Sequence, residues 1–94
     1  MARTAIHPGE ILADELEARE LSAAELARIL HVPPNRITQI IKGKRNLTAD
    51  TALRFGKFFG TGAEFWMNLQ KQYDLRLALL EIGNDLKHIP TQAA

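Results

Sequence analysis

At 94 residues the chain is long enough for one domain with a single core and too short for two. Its 46% hydrophobic and 24% charged content belongs to a globular chain, and the lack of cysteine excludes disulfides and thiolate metal sites, as fits a cytosolic (cytoplasmic) protein. The formal net charge of +1 excludes neither an acidic nor a basic partner until it is divided along the chain.

From the N-terminus there is no apolar signal-type core, and no run approaches the roughly 18 apolar residues of a membrane span, which argues against secretion and insertion. Residues 1–6 lack periodicity and are expected to form a flexible arm. His7-Pro8-Gly9-Glu10 then opens a first helix: His7 sits near the cap, Pro8 suits the first turn, and Glu10 favours the positive end of the helix dipole. Ile11, Leu12 and Leu16 supply its apolar stripe, and Asp14, Glu15, Glu17 and Glu20 make its other faces acidic. His7 has no partner at catalytic or ligand spacing, so capping or packing is its expected role.

Ser22 followed by Glu25 forms an S-x-x-E capping box, which starts a second helix at about Ser22. Leu26, Ala27 and Leu30 recur at helical spacing until His31-Val32-Pro33 interrupts them. A third helix opens on Pro34, whose fixed φ suits a first helical position, and closes at Gly43. Two short helices so closely joined, over about residues 22–43, make a helix-turn-helix. Ile37 and Ile40 face inward toward Leu26, Leu30 and Val32. The outward face carries Asn35, Arg36, Thr38, Gln39 and Lys42, side chains that bond base edges and phosphates in a major groove. Ser22 and Pro34, at the openings of the two helices, join the candidate DNA-binding set. An ordinary amphipathic helix pair is the plainer alternative.

Lys44-Arg45-Asn46-Leu47 is a short basic loop placed for phosphate contacts, with Lys44 and Arg45 supplying affinity more than specificity. Thr48 caps a fourth helix, with Asp50 in its first turn and Gly60 at its end. Ala52, Leu53, Phe55, Phe58 and Phe59 are expected inside it, with Arg54 and Lys57 outside. Thr61 and Glu64 read as a second capping box that opens the longest helical stretch, over about 62–87, in which Phe65, Trp66 and Leu69 complete the core. From Tyr73 onward Leu75, Leu79, Ile82 and Leu86 recur at intervals of four, three and four, and Leu77 and Leu80 are read as widening that stripe. With little core left to cover it, this stripe is expected to be a homodimer or partner-protein interface, the alternative being that it folds back onto the same chain. Gly83 weakens the helix, and Pro90 should end it, leaving residues 91–94 frayed.

Charge is segregated on this frame. Residues 28–57 hold Arg28, Arg36, Lys42, Lys44, Arg45, Arg54 and Lys57 against Asp50 alone, a net of +6, and the remainder carries −5. Such a basic block suits double-stranded DNA, because Lys and Arg that displace condensed counterions supply most sequence-independent affinity. A solvated basic face, or one that meets an acidic protein, is the alternative. A hydrolase is disfavoured: His7, His31 and His88 lie in separate elements, and no G-x-S-x-G or H-E-x-x-H spacing occurs. No catalytic residue, metal site or cofactor is expected.

The segments HPGEIL and LSAAELARILHVPPNRITQIIKGKRNLTADTALRFGKFFGTGAEFWMNLQKQYDL resemble the HigA (VapI) antitoxin family of Xre/Cro-like regulators. The most specific pieces are HPGE, GKR-x-x-T-x-DTALR and FW-x-NLQ-x-x-YDL, and the likeness covers about residues 6–78. It implies an all-α fold, a five-helix lambda repressor-like domain with an extended C-terminal helix. It further implies a homodimer that represses at a palindromic operator and neutralises a HigB-type toxin that cleaves messenger RNA. By position, Asn35, Arg36, Thr38 and Gln39 match the family's base-reading slots, and Lys42, Lys44 and Arg45 its backbone-contact region. His31 departs from the pattern, since related turns often have Gly there. A stand-alone Xre-family regulator and a toxin-binding module with weak DNA binding are the other readings.

Overall fold

Residues 5–92 are described by a computed structural model, so the expected arm and frayed end lie partly outside the described residues. Five helices follow in order: α1 (Pro8–Arg19), α2 (Ala23–Leu30), α3 (Pro34–Ile41), α4 (Ala49–Phe59) and α5 (Ala63–Leu86), with no strand among the described residues. The all-α, five-helix expectation holds.

Local chemistry accounts for most of the boundaries. Gly9 N–H donates to His7 Nδ1 at 2.9 Å, so His7 caps α1 with its ring. At α2 the box is reciprocal: Ser22 N–H donates to Glu25 Oε1 at 2.8 Å and Glu25 N–H donates to Ser22 Oγ at 3.0 Å. His31 ends α2 in the left-handed region, at φ 61° and ψ 44°. A non-glycine residue is disfavoured there by roughly 1–2 kcal/mol, so the turn that the sequence marks as a departure is a locally strained one. Glu20 does the same at the end of α1, at φ 54°, which no sequence signal marked.

The second capping box does not form. Gly62 is the N-cap of α5 and makes no side-chain cap bond, and the Thr61 hydroxyl donates to Gly62 O at 3.0 Å. The reason lies in the packing of α4: a Cβ on Gly56 would come within 2.3 Å of the Gly62 carbonyl carbon, so the two backbones touch there. Gly62, at φ 84°, takes the backbone shape that this approach needs, and the side-chain cap is lost.

The core gathers Leu12 and Leu16 from α1, Leu26, Ala27 and Leu30 from α2, Ile37 and Ile40 from α3, and Ala52, Phe55, Leu47 and Trp66. Phe55 and Trp66 meet edge to face at 5.0 Å, which ties α4 to α5. Two expected core residues are outside it: Leu53 is 64% and Phe65 43% exposed. Leu53 falls on the same turn-face as Asp50 and Lys57, away from Ala52 and Phe55. Phe58 and Phe59 are half-buried, with the Arg19 guanidinium 4.9 Å above the Phe59 ring.

The second half of α5 projects from this core and does not fold back. Leu75, Leu77, Leu79, Leu80, Ile82 and Leu86 are all exposed, by 39–64%. At about 100° per residue, Leu75, Leu79, Ile82 and Leu86 share one side. Leu77 and Leu80 fall on the opposite side, with Tyr73 and in line with the buried Trp66. They do not widen the first stripe; they form a second one. Tyr73 itself is half-buried and packs edge-on against His7 at 4.8 Å, so part of the expected interface is spent inside the protomer.

Candidate nucleic-acid interface

The third helix is aimed by what it buries. Ile37 and Ile40 are fully buried beneath α2 and α1. A Cβ on Gly9 would stand 1.9 Å from Ile40 O, so the start of α1 presses directly on the end of α3 and fixes its tilt. Opposite Ile37 and Ile40, the spacing of four and three places Asn35, Gln39 and Lys42 on one outward line. The following loop winds back over the same helix: Lys42 N–H donates to Thr38 O at 3.1 Å, Gly43 N–H to Ile40 O at 3.0 Å and Lys44 N–H to Gln39 O at 2.8 Å. The basic loop is thereby a continuation of α3.

Several candidate side chains are held by one another. Arg45 Nε donates to Gln39 Oε1 at 3.0 Å, which couples a phosphate-contact candidate to a base-reading one and leaves the Gln39 amide N–H groups free. Arg36 sits on the flank of α3 toward α4, where its Nη1 donates to Asp50 Oδ1 at 3.1 Å. The same oxygen accepts from Arg54 Nε at 2.8 Å, and Arg54 Nη1 donates to Leu30 O, the end of α2, at 2.7 Å. The hydrogen bond from Arg54, helped by the charge of Arg36, holds the Asp50 carboxyl below the ordinary carboxylate range, and Asp50 in turn raises Arg54.

Thr38 lies on the other flank, its hydroxyl donating back along the helix to Asn35 O at 3.3 Å. The Ser22 hydroxyl is engaged in the start of α2, where its oxygen accepts from Glu25 N–H. Pro34 is exposed at the first position of α3. Asn35, Gln39 and Lys42 therefore share one outward panel, joined by Arg45 through its bond to Gln39 and followed by the exposed Lys44, with Arg36 and Thr38 at its two edges.

Sequence reasoning missed three residues that support this panel. Asp50 accepts from Arg36 and Arg54 donates to Leu30 O, across separations of 14 and 24 residues that no local pattern reports. Gln70 is buried, accepts from Leu47 N–H at 2.7 Å and donates to Asp74 Oδ1 at 2.9 Å, pinning the end of the basic loop to α5. Its only signal was membership of the NLQ-x-x-YDL segment.

The helix-turn-helix family HTH_3 matches residues 12–66. Virulence-associated protein I of Dichelobacter nodosus is 53% identical over 75 residues, 79% of this chain and 69% of that protein. The chain belongs to the HigA/VapI branch of this family. Solved structures of the HigA/VapI type share its whole architecture. An addiction module antidote protein of the HigA family from Coxiella burnetii superposes with a TM-score of 0.91 at 50% identity, covering 97% of this chain and all of that one. The Pseudomonas aeruginosa antitoxin HigA, solved with the higBA promoter, gives 0.88 at 42% identity over 96% of this chain and 99% of its own.

Proposed function

We propose that the protein is a cytoplasmic transcriptional repressor that reads operator DNA through α3 and serves as the antitoxin of a HigB–HigA-type module. The observation that carries this reading is the panel itself: Asn35, Gln39 and Lys42 on one outward line of α3, with the Arg45 guanidinium of the following basic loop bonded to Gln39. The likeness to a HigA solved with its own promoter supports the same assignment. A dimer would present two copies of α3 about one DNA turn, roughly 34 Å, apart, each in the major groove of one half of a palindrome. The action is binding, with no bond made or broken. Of the histidines, His7 is occupied as a cap and His31 ends a helix, and no described group of acids and histidines could hold a metal ion.

Roles divide by position. Gln39 is suited to adenine and Arg36 to guanine, each worth about 1–3 kcal/mol of discrimination. Lys42, Lys44 and Arg45 supply phosphate affinity. Fluorescence anisotropy on the protein's own upstream DNA, compared with random DNA across a salt series, tests the division. Arg36→Ala is expected to lose operator affinity selectively, and Lys44→Ala to weaken both DNAs alike and flatten the salt slope by about one unit. Equal losses on both DNAs for Arg36→Ala would refute the assignment.

The exposed end of α5 favours a partnered protein: its apolar residues are those of an interface, here a second copy of this chain. Toxin neutralisation is tested by co-expression with the neighbouring reading frame. Rescue of growth together with co-purification supports the antitoxin role, and operator binding without either supports a stand-alone regulator.

A further inference from the structure

We propose that Asp50 is a positioning residue for operator discrimination: its carboxylate holds the Arg36 guanidinium at the edge of the panel, in the pose from which it reads a base. This rests on the DNA-binding reading above and adds to it a residue outside α3. The Arg36 side chain is 28% exposed and gives Asp50 a single bond, from Nη1, so the other donors of its fork remain available to a partner. Arg54 fixes Asp50 from behind, and Arg54 is itself anchored on Leu30 O. One oxygen thus links the end of α2, the start of α4 and the flank of α3.

Two physical points favour positioning over stability or plain charge. Exposed ion pairs add little to folding, and the Asp50 side chain is 58% exposed. By charge alone, a carboxylate on a phosphate-facing surface opposes binding, so its presence there is a liability unless it orders something. A long arginine side chain held in place before binding loses less freedom when it bonds a base. The two views therefore give opposite signs for removal of the acid.

The experiment measures dissociation constants of Asp50→Ala for the operator and for random DNA, with and without Arg36→Ala. Positioning predicts that Asp50→Ala weakens the operator complex while random DNA binds as well or better, so that the discrimination ratio falls by about tenfold, the lower range of one base contact. In the Arg36→Ala background, Asp50→Ala is expected to leave the ratio unchanged. Equal tightening on both DNAs, or the same fall in ratio when Arg36 is already absent, would overturn the proposal. Asp50→Ser, whose hydroxyl is too short to reach Arg36 Nη1, replaces the alanine variant if thermal melts show the latter unfolded, and the same two results decide it. If the wild-type protein itself fails to distinguish its operator, the DNA-binding reading falls and this goes with it; wild-type discrimination untouched by loss of Asp50 sinks this proposal alone.

Discussion

The panel on α3 and the far half of α5 are both exposed, yet they are exposed in opposite ways. On the panel the exposed groups are polar, and some are restrained by bonds, Gln39 to Arg45 and Arg36 to Asp50 on α4. Such a surface is stable in water and already shaped for a polar ligand. On α5, six large aliphatic side chains stand in solvent on two opposite sides of one helix, uncovered by any of the described residues. A helix that is apolar on opposite sides is normally buried. The first region is polar where it meets water; the second is apolar there.

The largest expected effect comes from breaking the second region. Leu79→Glu with Ile82→Glu alters one stripe, and Leu77→Glu with Leu80→Glu the other. If a second copy covers a stripe, charging it should give a monomer in sedimentation, with α1–α4 intact by circular dichroism. Operator affinity should fall by about 10²–10⁴, because two half-sites would no longer be bound together. The pair with the larger effect identifies the covered side. A dimer mass retained by both pairs would end the interface reading and leave the difference between the two regions without a cause.

A smaller effect should come from loosening the first region at its root. Gln70→Leu removes the acceptor of Leu47 N–H, a buried bond of 2.7 Å. Leaving that donor unpaired is expected to destabilise the fold by about 1–3 kcal/mol. Hydrogen exchange should quicken at Leu47 and along the Lys44–Asn46 loop, while α5 beyond Tyr73 is unaffected. Unchanged melting and a still-protected Leu47 amide would mean that the loop is held by α3 alone.

What could be read in advance follows the range of the interactions. The Ser22 box, the Pro34 opening, the inward Ile37 and Ile40 and the end of α4 at Gly60 depend on neighbours within a turn or two. The periodicity of the chain records them. Leu53 and Phe65 are apolar yet exposed because side-chain type does not say which face a neighbouring helix covers. Thr61 and Glu64 have the spacing of a cap, but the close approach of Gly56 overrides it from outside the segment. The Asp50, Arg54 and Gln70 bonds span 14 to 24 residues and exist only once α4 and α5 are docked. The two sides of α5 were legible from helical spacing alone; they blur only when every leucine is counted into one stripe.

The smallest effect concerns pH, and it separates the framework of the motif from its panel. The backbone hydrogen bond from Ser22, then the one from its side chain, lowers the Glu25 carboxyl below its ordinary value, with the Arg28 charge acting the same way. A carboxyl lowered in the folded state stabilises it fully above the unfolded value, near 4.3 for Glu, and that contribution is lost as pH falls through the lowered value. Melting temperature should therefore drop on the acid side below about pH 4, and Glu25→Ala should make that limb shallower. Asp50 is lowered too, chiefly by Arg54, so it titrates in the same acid region. The variants tell the two apart: Glu25→Ala should change the acid limb of stability and leave operator discrimination at neutral pH alone, because its carboxylate serves the start of α2 and touches nothing on the panel. An acid limb unchanged by Glu25→Ala would show that the box adds no pH-dependent stability, and would leave the α2 start to its Ser22 cap and the packing of Leu26 and Ala27.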